Sequence, residues 1–179
     1  MTEIATTYGQ AMYDLAREEG LAKELLGQLT ALDGSLRAEP GFIQLLSTPN
    51  IPKEERVRIL DDSFRGKLHP YVLNFLKLLT EKGYARQFFQ CVKAYRTHYN
   101  DDHGILPVTA YTAVELSDEL RRKLTAKLST VTGKTIELDC RIDPETLGGV
   151  RLDFDGKQVD GTVRRRLEDI RGLLKNTVL

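Results

Sequence analysis

The chain has 179 residues, with 26 Lys and Arg against 26 Asp and Glu, so no bulk electrostatic force draws it to nucleic acid or to an anionic membrane. Hydrophobic residues at 41% and charged residues at 29% exclude a disordered chain, and a charge-based partner must use a local patch. Nothing approaches the roughly 18 consecutive apolar residues of a spanning helix. Thr2, Glu3 and Ile4 follow Met1 in place of a basic, then apolar, leader, so the chain is expected neither to be secreted by a signal peptide nor to span a membrane. Cys91 and Cys140 form no Cys-x-x-Cys pair, which argues against a disulfide framework or thiolate zinc site and fits a reducing cytosol.

The first hundred residues show apolar spacing of three and four, the period of helices. Tyr8, Ala11, Met12, Leu15 and Ala16 make one stripe, broken at Gly20. Leu21, Leu25, Leu29, Leu32 and Leu36 make the next, ended by Pro40 and Gly41. Phe42 to Leu46 is a helical turn or two, and 47–52 is a loop. Pro52, Lys53, Glu54 and Glu55 then start a fourth helix with Val57, Leu60 and Phe64 inward. Pro70 opens a fifth, whose Val72, Leu73, Phe75, Leu76, Leu78 and Leu79 cover more than one face, so it should lie centrally, with Gly83 at its end. A sixth is expected from about Tyr84 to about Tyr99, with Phe88, Val92 and Tyr95 on its stripe. Six helices with short connections predict an all-α bundle over 1–104.

At Gly104 the period changes to two: Leu106, Val108, Ala110, Thr112 and Val114 alternate along an extended segment. Ser117 caps a helix carrying Leu120, Leu124, Leu128 and Val131 inward to Gly133. Ile136, Leu138, Cys140 and Ile142 form a strand, as do Val150, Leu152 and Phe154, and Asp155-Gly156 is a tight turn into a short strand around Gln158 and Val159. A final helix has Val163, Leu167, Ile170 and Leu174 on one face. The whole is α+β, a six-helix bundle followed at 105–179 by a small β-α-β-β-β-α module. That module is close to the size at which a single core is marginal. Each half is nearly neutral, with 13 basic and 14 acidic residues to Gly104 and 13 and 12 after it.

Few residues suggest chemistry. His98, Asp101, Asp102 and His103 have the spacing to converge on a metal in a small hydrolase, or they form a polar helix end. His69, before Pro70, reads as a helix-boundary residue. Leu147-Gly148-Gly149-Val150 leads into a strand and lacks a phosphate-loop form, so it reads as a bulge or bend. Asp160-Gly161-Thr162 opens the last helix, where its amides hold an anion or are capped by its own side chains. Arg164, Arg165 and Arg166 with Arg171 and Lys175, against Glu168 and Asp169, give that helix a net charge of +3. Such a run suits an acidic partner helix, a solvated face, or the phosphates of nucleic acid, the last making the chain a nucleic-acid-binding regulator. No Ser-His-Asp or Cys-His signature is present, and the residues point to a binding module rather than an enzyme.

Leu147-Gly148-Gly149-Val150-Arg151-Leu152 followed by Asp160-Gly161-Thr162-Val163-Arg164-Arg165-Arg166-Leu167 resembles the C-terminal signature of the δ subunits of bacterial F-type ATP synthases, homologous to the mitochondrial oligomycin-sensitivity-conferring protein. Thr162 stands where serine is usual, Gly9 and Gln10 where alanine and a basic residue are favoured, and Tyr84 where arginine is common. The first helix from Tyr8 to Ala16 and the fifth from Asn74 to Gly83 agree in position. The resemblance implies a stator role in the peripheral stalk, one copy per complex, with no catalytic residue, cofactor or metal of its own. It implies that the N-terminal bundle takes the amphipathic N-terminal helix of an α subunit between its first and fifth helices, through Tyr8, Ala11, Met12 and Leu15 on one wall and Phe75, Leu78, Leu79 and Lys82 on the other. The C-terminal module would meet the C-terminal helices of the b subunits, with Arg164, Arg165, Arg171 and Lys175 as contacts. The implied location is the cytoplasmic face of the bacterial cell membrane, held there only through the complex.

Overall fold

A computed structural model describes residues 2–146, 148–154 and 156–161. Two compact units divide the chain, Met1–Tyr99 and Asn100–Leu179.

The first unit is helical. Thr2 caps α1 (Glu3–Glu18) by accepting from the Ala5 N–H, and α1 stops where Gly20 takes φ +70°. The glycine is required there, because the Gly20 N–H reaches back to Arg17 O and the Leu21 N–H to Ala16 O, closing the helix in a left-handed turn. α2 (Ala22–Ala38) buries Leu25, Leu29, Leu32 and Leu36, the stripe its sequence spells out. α3 (Pro40–Leu46) and α4 (Lys53–Phe64) follow, each with proline at its start. α5 (Pro70–Glu81) buries Val72, Leu73, Phe75, Leu76, Leu79 and Thr80, more than one face, and packs against both α2 and α4.

The sixth helix starts later than its periodicity suggests. Tyr84 belongs to the end of α5, because its N–H donates to Leu79 O at 2.6 Å while Gly83 donates to Thr80 O. A 3-10 turn, Ala85–Gln87, intervenes, and α6 runs Phe88–Asp102. α6 and α1 approach closely at Gly9, where an added Cβ would lie 2.6 Å from both the Ala94 Cβ and the Cys91 carbonyl oxygen. Beside it the Tyr13 ring meets Tyr95 edge-on at 5.4 Å and stacks on His98 at 6.1 Å, and the Tyr95 hydroxyl donates to Ala22 O. Cys91 is 1% exposed, and burial pushes its thiol up to about 11, which suits packing rather than reactivity.

Further polar ties run between helices. Arg56 of α4 is buried, its Nη1 donating to Leu46 O at the end of α3 over 2.8 Å. Arg56→Ala removes a charge-assisted bond and the packing of the side-chain stem. It is expected to lower unfolding free energy by about 2 kcal/mol, read as a lower urea midpoint at unchanged slope. Asp61 of α4 pairs with Lys77 of α5 at 2.5 Å and with Arg65 at 3.3 Å. The hydrogen bond from Lys77, aided by Arg65, lowers the Asp61 pKa. A lowered carboxylate pKa stabilises the fold above the unfolded value, near 3.9, and that contribution is lost as pH falls through the folded value. Asp61→Asn is therefore expected to be less stable than the parent at pH 6, with the gap closing as the pH is taken below 4 in parallel thermal melts.

In the second unit β1 (Ile105–Thr112) pairs in parallel with β2 (Thr135–Ile142), and α7 (Asp118–Thr132) makes the crossover. β3 (Val150–Phe154) lies antiparallel to β1, and β4 (Lys157–Asp160) antiparallel to β3, giving the mixed sheet order β2-β1-β3-β4. Gly148 and Gly149 take φ of +89° and +87° before β3, the bend their sequence suggests. Leu106, Val108 and Ile136 form the core, with Leu128, Leu138, Leu152 and Phe154 against it. Ser117 caps α7 and Gly133 ends it at φ +68°, as expected.

The inward stripe on α7 is shorter than expected. Leu124 and Leu128 are half-buried, whereas Leu120 and Val131 are 53% and 77% exposed. α7 packs on β2, with Leu128 against the core of Leu106, Val108 and Ile136. Val114, placed on the first strand by alternation, lies past its end and is exposed, since Thr112 Oγ1 donates to Val114 O and turns the chain. The final helix and its basic residues, from Thr162 onward, lie outside the described residues, as do Leu147 and Asp155.

Candidate docking groove

The two helices that the sequence nominates as groove walls do enclose one. Tyr8, Ala11, Met12 and Leu15 of α1 face Tyr71, Asn74, Phe75 and Leu78 of α5 across a hollow of about 310 Å³. Each wall follows the spacing i, i+3, i+4, i+7, one face of two helical turns. Met12 and Phe75 are nearly buried and form the floor, while Leu15 and Leu78 stand 38% and 40% exposed at its edges. The Tyr8 ring meets Tyr84 at 6.0 Å, which puts the start of the α1 wall beside the C-terminal end of α5.

Of the eight residues expected here, the structure brings together Tyr8, Ala11, Met12, Leu15, Phe75 and Leu78. Leu79 is not among them. It is fully buried, turned about 100° along the helix from Leu78 and into the core. Lys82, the C-cap of α5, borders a separate depression with Lys53, Glu54, Val57 and Glu81 on the α4 side. Tyr71 and Asn74 were missed; the signal was available, since with Phe75 and Leu78 they complete an i, i+3, i+4, i+7 row. Asn74 is polar and so falls outside a search for apolar residues.

A larger hollow of about 810 Å³ lies among α2, α3 and the 3-10 turn, bordered by Leu36, Ile43, Phe89, Arg37 and Arg86. Arg37 is held there by Asp33 through two hydrogen bonds and covers the Phe89 ring at 4.5 Å, so a guanidinium occupies part of the apolar surface.

The residues singled out for metal or acid-base chemistry have other partners. His98 stacks on Tyr13. His69 caps α5, its Nδ1 accepting from the Tyr71 N–H. Among the described residues no three His, Cys, Asp or Glu side chains converge as metal ligands do. Among the same residues no helix is long and apolar enough to cross a membrane. Gly161 donates to Val150 O, closing the strand pair, and the candidate contacts Arg164, Arg165, Arg171 and Lys175 lie outside the described residues. The nucleic-acid reading rests on those same basic residues.

The helical unit thus carries an open two-helix apolar groove, and a small mixed sheet follows it in the chain. The model of the ATP synthase delta (OSCP) subunit family matches residues 4–174, and the chain belongs to that family, whose members are non-catalytic components of the enzyme's peripheral stalk. It is similar to the ATP synthase subunit delta of Fusobacterium nucleatum, 32% identical over 95% of this chain and 97% of that one. The subunit delta of Lactobacillus delbrueckii subsp. bulgaricus is likewise 32% identical, over 96% of both chains, and that of Clostridium kluyveri 28% over 93% and 92%. Its fold is similar to a chain of the mitochondrial ATP synthase hexamer of Toxoplasma gondii, with a TM-score of 0.75 at 15% identity, covering 97% of this chain and 98% of that one.

Proposed function

We propose that this chain ties the catalytic head of a proton-translocating F-type ATP synthase to its stator and so resists rotor torque. The N-terminal six-helix bundle binds the amphipathic N-terminal helix of an α subunit in the groove between α1 and α5. The C-terminal module, 105–179, binds the C-terminal helices of the b subunits, and its basic residues Arg164, Arg165, Arg171 and Lys175 assist that contact. The protein sits, one copy per complex, at the cytoplasmic face of the bacterial cell membrane through the complex alone.

The observation that supports this reading is the pair of matched walls with Leu15 and Leu78 left open at their edges. Two helical turns of open apolar surface on each wall fit one helix laid between them, buried by its own i, i+3, i+4, i+7 stripe. A tie under torque needs slow dissociation from a large apolar contact and no reactive group. Uptake is the test: catalytic heads purified free of this subunit should bind the protein stoichiometrically in gel filtration. Heads that leave it in the free fraction rule the connector role out.

A further inference from the structure

We infer, taking the groove as the α-subunit site, that Asn74 sets the register of the bound helix by demanding one hydrogen-bonding side chain within that helix's apolar stripe. Asn74 lies in the middle of the α5 wall, flanked along the row by Tyr71, Phe75 and Leu78. It is exposed in the free protein, and its amide has no partner among the described residues. A helix laid in the groove covers it.

The consequence depends on side-chain length. Tyr8 and Tyr71 also line the groove, but each is the first residue of its wall, and the Tyr8–Tyr84 contact puts those two ends apart. A tyrosine at a groove end keeps its hydroxyl in water at the tip of a long ring. Asparagine in the middle of a wall has two bonds of reach and cannot follow. Its donor and acceptor then leave water for a surface of Phe75, Met12 and the occupant's own apolar residues, and an amide stripped of water without a partner incurs its full desolvation cost.

Ala11 and Met12, the middle of the α1 wall, carry no amide or hydroxyl to offer it. The partner for Asn74 must therefore come from the occupant: Ser, Thr, Asn, Gln or a carboxylate at one position of its stripe. Sliding the helix by one turn moves that group off Asn74 and puts an aliphatic side chain there. A single buried polar residue selects register in helical packing in this manner, at some loss of affinity relative to leucine.

The test uses the full-length protein and a synthetic peptide of the N-terminal segment of the α subunit from the same ATP synthase, with each polar residue of its apolar stripe replaced by leucine in turn. With Asn74 present, one replacement is expected to weaken binding roughly tenfold. With Asn74→Leu, the same replacement should be neutral or favourable, and a photo-crosslinker on the native peptide should give more than one crosslink position instead of one. Circular dichroism and melting of Asn74→Leu check that the exposed substitution leaves the fold intact. Equal responses of both proteins to every replacement, or an unchanged single crosslink, overturns the register role. Failure of the native peptide to bind either protein instead defeats the groove itself as the α-subunit site.

Discussion

Leu78→Asp is expected to weaken binding of the α-subunit N-terminal peptide at least about a hundredfold while leaving the melting temperature nearly unchanged. The two outcomes separate because Leu78 is 40% exposed in the free protein and lies at the groove edge. In the free state the aspartate remains hydrated and little packing is lost, so surface-like effects within about 0.5 kcal/mol apply. In the complex the carboxylate must give up water beneath an apolar helix with no cation on the opposite wall, and the burial of a leucine is lost as well. Ala11→Asp should behave the same way from the α1 side. Leu79→Asp provides the contrast: with Leu79 fully buried, that variant should lose helical structure before binding can be asked about. Isothermal titration with the peptide, beside thermal melts of each variant, reads both quantities, and a Leu78→Asp protein binding within threefold of the parent would sink the groove assignment.

Gly9→Ala is expected to destabilise the helical unit, although alanine is the better helix former by about 1 kcal/mol. The added methyl would stand 2.6 Å from the Cys91 carbonyl oxygen and from the Ala94 Cβ, and the first of these is helix backbone that cannot rotate away. α1 and α6 must separate, which loosens the contacts of Tyr13 with Tyr95 and Tyr99 next to it. Overpacking of this kind costs typically 1–3 kcal/mol and here outweighs the propensity gain. With the propensity gain deducted the net loss is about 1 kcal/mol, and the melting temperature of a chain this size should fall by about 2–4 °C. A melt of Gly9→Ala at or above the parent temperature contradicts the close approach. Glycine at position 9 thus reads as a local fit between two helices.

Much of this arrangement was legible in residues alone. The Leu25, Leu29, Leu32, Leu36 row, the proline starts of α4 and α5, the Gly20 and Gly133 stops and the change of period at Gly104 all act through neighbours in the chain, and the structure has each where the sequence puts it. The two groove helices were implied by the resemblance, not by periodicity, and six of the eight residues it implied line one hollow. What failed had a common cause. Tyr84 was assigned to the wrong helix because its aromatic ring fits the α6 stripe, while its N–H is spent closing α5 onto Leu79. Leu120 and Val131 fit an amphipathic stripe but stand exposed, while Leu124 and Leu128 on it are half-buried. Arg56, which is not on the inward row of Val57, Leu60 and Phe64, is buried with its guanidinium on the Leu46 carbonyl.

Periodicity and capping are properties of a segment and its near neighbours, so the sequence by itself determined that there would be six helices, then a strand-containing module, and which family the chain resembles. Burial is a property of what packs on top. Leu78 and Leu79 are adjacent, identical in chemistry and equally apolar in any pattern, yet one is open groove wall and the other closed core. Only the placement of α1 and α4 around α5 decides between them, because a helical period of 3.6 says which residues share a face and is silent on which face a neighbour covers.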